Sequence, residues 1–499
     1  MGASMRASWA ASESLNRQTS NAVDNHKVRR AQKALQTSNA ALRSGYLFPG
    51  DQAGVDALGL LDYRGLDIPE RIAGAMGVGV VSLGRIRNPR SGFSAEVMLP
   101  WEVVNTHVAI VAPAGSGKTH GLVVPWILSF VSAGGRVVAS DVKGDLLQDI
   151  LEARSTLGIP GFKVTRWNPF NKAASNRWNP LSEVTDDASR VRLAAAIVGD
   201  PDKADGKDKF FVERDLRWLD GLIKLALGIM PDATFNDIYV ALSDRPTLDA
   251  LILDHPGLSL NVAELPGMSD VDYSLAIGSL KNKLLWLSYA SPKDVTKQSD
   301  FQLEDIIETP GLLLVGAPLS EGEPAKAAAA MFYAMLRSVT FKRFGRDGLP
   351  NAWIIDEAAT LADRIALDDT LATARSANVG IVMALQDVTQ FGNEEKQTRY
   401  LANCKTMITL RDVSEKTGTF LSKRLGSHTV QRVSTSLDTR GRHMPQVSSA
   451  SVPILGQSEI ASTPTEFGTY AAIVHCPALG PLCNPPAVTN QPFVVDLQR

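Results

Sequence analysis

His107-Val-Ala-Ile-Val-Ala-Pro-Ala-Gly-Ser-Gly-Lys-Thr119 is the stretch on which the fold turns. Val108 to Val111 is an apolar run, a Gly-rich segment ending in Lys118 and Thr119 follows, and a mostly apolar segment lies behind it. That order reads strand, phosphate loop, helix. Gly115 and Gly117 let successive backbone N–H groups close around an anion where a Cβ would obstruct the wrap. In this cradle of Pro113, Ala114, Gly115, Ser116 and Gly117, Lys118 supplies a point charge to the β- and γ-phosphates of ATP. Thr119 offers its hydroxyl to Mg2+, and the first turn of the helix adds its positive end. The eight-residue pattern begins on Gly, and here Ala112 stands in that place, while the glycines nearest the phosphates are kept.

With 499 residues the chain can form several domains and a large core without a disulfide or metal staple. A net charge of −2 makes no global case for nucleic-acid binding, so any such surface has to be local. Cys404, Cys476 and Cys483 lack metal-ligand spacing and suit a reducing compartment. Of two long uncharged runs, Thr119 to Gly135 is short for a bilayer span and holds Pro125. The other, Phe467 to Val495, is interrupted by Pro477, Pro481, Pro485, Pro486 and Pro492. No signal-peptide core opens the chain, and the expectation is a soluble protein of the cytoplasm.

Residues 1–44, rich in Ala, Ser, Asn and Gln with scattered basic residues, read as a helical or disordered arm. The Gly- and Pro-containing stretch to residue 100 reads as a small β-containing lead-in. A second strand, Arg136 to Ser140, is closed by Asp141-Val-Lys-Gly-Asp145 and followed by a helix through Ala153. Pro160 to Pro180, with two Trp-Asn-Pro triplets, reads as loop. From Glu183 to about Lys297 the period becomes helical, as in Phe211, Leu216, Leu219, Leu222, Ile223 and Leu227. Strands return at Leu312 to Val315, Ala352 to Ile355, Val379 to Leu385 and Thr406 to Leu410, with an Ala-rich helix over Pro324 to Phe344. Residues 427–452 read as a mobile loop or hairpin, Thr469 to Val474 as the last strand, and the Pro-rich tail as irregular. Strands alternating with helices predict a parallel sheet covered on both faces.

A phosphate loop binds but does not by itself hydrolyse, so the carboxylates closing the Trp353 strand decide the class. Asp356 is placed to hold Mg2+ through its water shell, and Glu357 to orient and polarise an attacking water. An isolated Asp-Glu pair would more often cap the next helix; joined to the phosphate loop it reads as catalytic. Gln386, one strand on, can sense the γ-phosphate or be a bare strand-end amide. Arg375, at a helix-to-strand junction, is expected near one edge of the sheet and away from its own phosphate loop. There it would reach a neighbouring subunit's γ-phosphate or serve only as a solvated helix-end charge.

The succession of Ala-Pro-Ala-Gly-Ser-Gly-Lys-Thr, Pro125, Asp141-Val-Lys-Gly-Asp145, Trp-Asn-Pro, a helical insertion, Ile-Ile-Asp-Glu, Ala-Arg375-Ser, Gln386 and Leu425-Gly-Ser resembles the coupling proteins of type IV secretion systems. These are the conjugative ATPases of the TraG/TraD type, and the resemblance runs over about residues 75–475. It implies an α/β, RecA-like P-loop NTPase with a parallel-rich central sheet and an inserted all-α domain. The expected division is an arm (1–44), a lead-in with the first part of the nucleotide-binding domain (45–182), the all-α insertion (183–300), and the second part with the tail (301–499). It further implies a homo-hexamer coupling ATP hydrolysis to sequence-independent movement of DNA, or of DNA with a relaxase or other secreted substrate, toward the secretion channel. By motif match Lys118, Thr119, Asp356, Glu357, Gln386 and Arg375 inherit the roles argued above. Members commonly open with two membrane-spanning helices and this sequence offers none, which points to a soluble branch, cytosolic or docked at the inner membrane face. Two competing readings are a soluble motor for a protein cargo and a nucleotide-gated adaptor with negligible hydrolysis. The Asp356-Glu357 pair speaks against the adaptor.

Overall fold

The computed structural model describes residues 81–87, 94–203, 206–345, 348–363, 365–437, 443–453, 455–461, 471–477 and 493–496. The arm over residues 1–44 and most of the lead-in lie outside them. The described chain divides into two compact units, one carrying residues 96–410 with 81–84, the other 411–496 with 85–87 and 94–95. The strands are β1 (Val81–Arg87), β2 (Ser94–Leu99), β3 (Val108–Val111), β4 (Arg136–Asp141), β5 (Val164–Trp167), β6 (Gly311–Gly316) and β7 (Asn351–Ile355). They continue with β8 (Val379–Leu385), β9 (Thr406–Leu410), β10 (Ser427–Leu437), β11 (His443–Pro453), β12 (Ala471–His475) and β13 (Phe493–Asp496).

In the larger unit seven strands run parallel in the order β9-β3-β8-β7-β4-β6-β5. β3, β4, β6, β7, β8 and β9 are buried at every position, as expected of parallel strands covered on both faces. β5 differs, burying only Thr165 and Trp167. The stretch read as loop therefore contains a strand, and its alternation of half-exposed and buried residues marks a strand paired only with β6 among the described residues. Its Trp167 packs edge-on to Trp178 at 5.1 Å and stacks on Phe332 at 5.3 Å, so each Trp-Asn-Pro triplet delivers an indole to the core. Phe332 belongs to the helix Glu323–Phe341, in which Ala327 to Ala330 are buried. Small side chains there let the helix lie close against its neighbours.

Between β5 and β6 every described element is helical, including Asp187–Val198, Gly206–Ile229, Phe235–Ser243, Arg245–Asp254 and Asp270–Leu284. Reciprocal capping boxes start two of them, at Asp186 with Ser189 and at Thr234 with Asp237. No described helix is long and apolar enough to cross a membrane.

In the smaller unit β10 and β11 form an antiparallel hairpin, which decides the 427–452 stretch in favour of a hairpin. β12 falls on the expected last strand, of which Thr469 and Tyr470 lie outside the described residues, and β13 pairs antiparallel with it and with Arg85 of β1. The Pro-rich tail thus contains a strand, since Phe493 to Val495 are apolar and free of proline.

Candidate functional site

β3 leads directly into the phosphate loop. Ala112 donates its N–H to the Leu385 carbonyl at 2.9 Å and is fully buried, so it prolongs the strand and does not need the conformational freedom of Gly. Gly115 and Gly117 do need it, with φ of +76° and +87°. No protein atom lies within 4 Å of a Cβ built on Gly115, so the demand is backbone conformation, not space. Behind the loop Thr119–Val123 makes one π turn before the α-helix Val124–Ser132. Pro125, with no N–H to give to residue 121, sits where the π turn gives way to the α-helix.

Lys118 is 7 % exposed, its Nζ 2.7 Å from Asp356 Oδ1 and 3.6 Å from Glu357 Oε1. The carboxylates are held in turn. Asp356 donates its N–H to Ser140 Oγ at 2.8 Å, Ser140 donates back to the Asp356 carbonyl at 3.2 Å, and Glu357 N–H donates to Asp356 Oδ1 at 3.1 Å. Glu357 adopts left-handed backbone, φ 53°, a local cost that aims its carboxylate beside its neighbour's. Gln386, one residue past β8, donates from Nε2 to Glu357 Oε1 at 3.0 Å. Lys118, Asp356, Glu357 and Gln386 therefore form one connected cluster. Thr119 and residues 113–117 line the same cleft of about 300 Å³.

Sequence reasoning missed Ser140, and noticed the Asp141–Asp145 turn without giving it work. Ser140, Asp141, Lys143, Asp145 and Asp149 all line the cleft. The available signal was position: β4 ends beside β7, so a polar residue at its end is brought to the Asp356 carboxylate. The donor set suits Mg2+ and ATP together. Asp141, Asp145, Asp149, Asp356 and Glu357 outnumber Lys118 and Lys143 along the wall, so a divalent cation would offset the repulsion a polyphosphate meets there. Ser116 Oγ, buried without a hydrogen-bond partner, and the N–H groups of the loop are the donors a phosphate would meet.

Arg375 is not in this cluster. It lies exposed in the turn Ala374–Ala377 at the incoming end of β8, whereas Gln386 follows the outgoing end. Seven residues of β8 separate the two ends by about 23 Å at strand rise. The expected distance from its own phosphate loop holds, but the sheet-edge placement does not, because β8 lies between β3 and β7. Beneath it His107, buried with φ 66°, accepts the Ile381 N–H on Nδ1 at 3.0 Å and donates from Nε2 to the Leu371 carbonyl at 2.9 Å. Burial, aided by the Arg375 charge and opposed by the Leu371 bond, pushes its pKa down to about 4.

Residues 79–466 match the family model for type IV secretory system conjugative DNA transfer. The conjugal transfer protein TraG of Escherichia coli is 24 % identical over 376 residues, covering 67 % of this chain and 57 % of that protein. Protein VirD4 of Agrobacterium fabrum is 23 % identical over 376 residues, covering 71 % and 55 %. The chain thus spans little more than half the length of these curated relatives. Among solved structures, the unbound conjugative coupling protein TrwBdeltaN70 superposes with a TM-score of 0.60 at 18 % identity, over 81 % of this chain and 87 % of that one. TrwB with a non-hydrolysable ATP analogue gives 0.57 at 19 % identity, over 80 % and 87 %. The fold is that of a RecA-like P-loop NTPase, and the chain belongs to the type IV secretory system conjugative DNA-transfer family.

Proposed function

We propose that the chain is the ATP-driven motor of a conjugative coupling protein, moving DNA or a DNA–protein complex toward a secretion channel, with residues 183–300 as an inserted all-α domain. The observation that carries this is the clamp of Lys118 between Asp356 and Glu357, closed by Gln386 at the mouth of the phosphate loop. Family membership supports DNA as the cargo. TrwB was solved with a GTP analogue, with ADP and Mg2+, and with an ATP analogue, which supports a nucleotide with Mg2+ as the ligand here.

When bound, Mg2+ neutralises charge on the β- and γ-phosphates. With nucleotide present, Lys118 would exchange its carboxylate partners for phosphate oxygens, Thr119 would offer its hydroxyl to the cation, and Asp356 would hold the cation through its water shell. Glu357 would accept a hydrogen bond from the attacking water and so orient it. Gln386, bonded to Glu357, registers whether that carboxylate is engaged, and β8 connects this sensor to the Arg375 turn. Arg375 then serves the neighbouring subunit of a homo-hexamer, because its own cleft is at the far end of the strand.

The test is ATP turnover with and without DNA. Wild type should be stimulated by DNA. Glu357→Gln should bind Mg·ATP and turn it over about 100-fold more slowly, the usual size of losing one positioned catalytic contact. Wild-type turnover by Glu357→Gln, or none by the wild-type protein, would overturn the reading.

A further inference from the structure

Asp141 closes β4, and β4 lies parallel to β7 with Ala139 level with Ile354. Carrying that register two residues on sets Asp141 level with Asp356, on adjacent strands about 5 Å apart. Because side chains alternate along a strand, residues level in register and of equal parity leave the same face of the sheet. Asp141 is 3 % exposed and lines the cleft. Its Oδ1 accepts the Gly144 N–H at 2.7 Å, which pins a turn that Gly144 makes with φ +88°. Its Oδ2 has no hydrogen-bond partner, and the nearest cation, Arg166 NH2, is 3.8 Å away. Burial pushes its pKa up, against the pull of the Gly144 bond, of Arg166 and of the Leu146 backbone N–H. A carboxylate with one oxygen spent on its own turn and the other held by a long ion pair without a close hydrogen bond at a cleft wall is poorly explained as a loop staple alone.

We propose that Asp141 is the second acid of the cation site: with Asp356 it accepts hydrogen bonds from the water shell of the Mg2+ that accompanies the nucleotide. The pair would divide the labour across two strands. Asp356 answers to Lys118 and to Glu357, while Asp141 Oδ2 has the 3.8 Å ion pair with Arg166 and no closer hydrogen bond. Ser140, tied to the Asp356 backbone in both directions, keeps the two strand ends together. This inference rests on the proposed reading of the cleft as a Mg·nucleotide site.

The experiment is equilibrium binding of a fluorescent ATP analogue, titrated in excess chelator and at stepped Mg2+ concentrations, in wild type, Asp141→Asn and Arg166→Gln. Asn keeps the oxygen that accepts from Gly144, so the turn should survive and only the charge is lost. The expected result is a roughly tenfold rise in the Mg2+ concentration for half-maximal binding in Asp141→Asn, a typical cost of removing a second-layer metal partner, with affinity in chelator unchanged. Arg166→Gln should leave the Mg2+ dependence as in wild type. An unaltered Mg2+ dependence in Asp141→Asn would reduce Asp141 to a staple and overturn the proposal. Equal loss with and without Mg2+, or the same shift in Arg166→Gln, would trace the effect to the turn or the ion pair and overturn it as well. If wild type bound no nucleotide under any condition, the reading of the cleft would fall, and the second-acid role with it.

Discussion

Lys118→Ala takes a buried cation from between two carboxylates. Lys118, Asp356 and Glu357 have side chains only 7 %, 10 % and 7 % exposed, and the ammonium is 2.7 Å and 3.6 Å from the two acids. Removing one member of a buried pair strands the other and costs about 3–5 kcal/mol. The cleft wall admits water, so we place the cost near the lower bound, about 3 kcal/mol, still a large share of a typical folding free energy. Adding Asp356→Asn relieves part of the stranded charge, so the double variant should be more stable than the sum of singles by about 1–3 kcal/mol. The assay is denaturant unfolding of wild type, both singles and the double, without nucleotide. Affinity for Mg·ATP should fall at least about 100-fold in Lys118→Ala, near 2.7 kcal/mol, since the charge-assisted bonds to phosphate go with the lysine. A Lys118→Ala protein as stable as wild type, or additive single effects, would refute the clamp.

Arg375→Ala should abolish turnover with nucleotide affinity little changed, and mixing it with Lys118→Ala subunits should recover activity; no recovery in demonstrated mixed oligomers would remove the trans role. DNA binding should be sequence-independent and weaken steeply between low and moderate salt, as counterion release requires; a salt-insensitive affinity measured by fluorescence anisotropy would favour a protein cargo. His107, whose pKa is lowered to about 4 from 6.5, binds its proton more weakly folded than unfolded. Its contribution is therefore complete above pH 6.5 and lost as pH falls toward 4, about 3 kcal/mol in all. Unfolding free energies of wild type and His107→Gln across that window should converge as pH falls, and a constant gap would contradict the buried neutral imidazole.

Much of the fold was legible because buried parallel strands are written as unbroken apolar runs, and β8 and β9 occur over the expected residues. β5 was not, because a strand exposed along part of its length alternates Val164, Thr165, Arg166 and Trp167 and so resembles loop. β13 was hidden by the prolines before it, and its partner β12 is close in space though not in sequence. The cluster of Lys118, Asp356, Glu357 and Gln386 could be anticipated since each follows the end of a recognisable strand. Asp141 shows what motif reading leaves out. The role proposed for it rests on a register with β7, more than 200 residues away, which no local pattern encodes. Arg375 fails in the same way, since knowing that it precedes a strand does not tell where that strand lies in the sheet.

The central claim, that hydrolysis in this cleft drives movement along DNA, is tested most directly by displacement of a triplex-forming strand from duplex DNA. Wild type should release the third strand only with hydrolysable ATP and Mg2+. Glu357→Gln, which binds the same nucleotide, should fail to release it, and so should wild type with a non-hydrolysable analogue. Release by Glu357→Gln at the wild-type rate, or ATP hydrolysis by wild type with no release, would contradict the account.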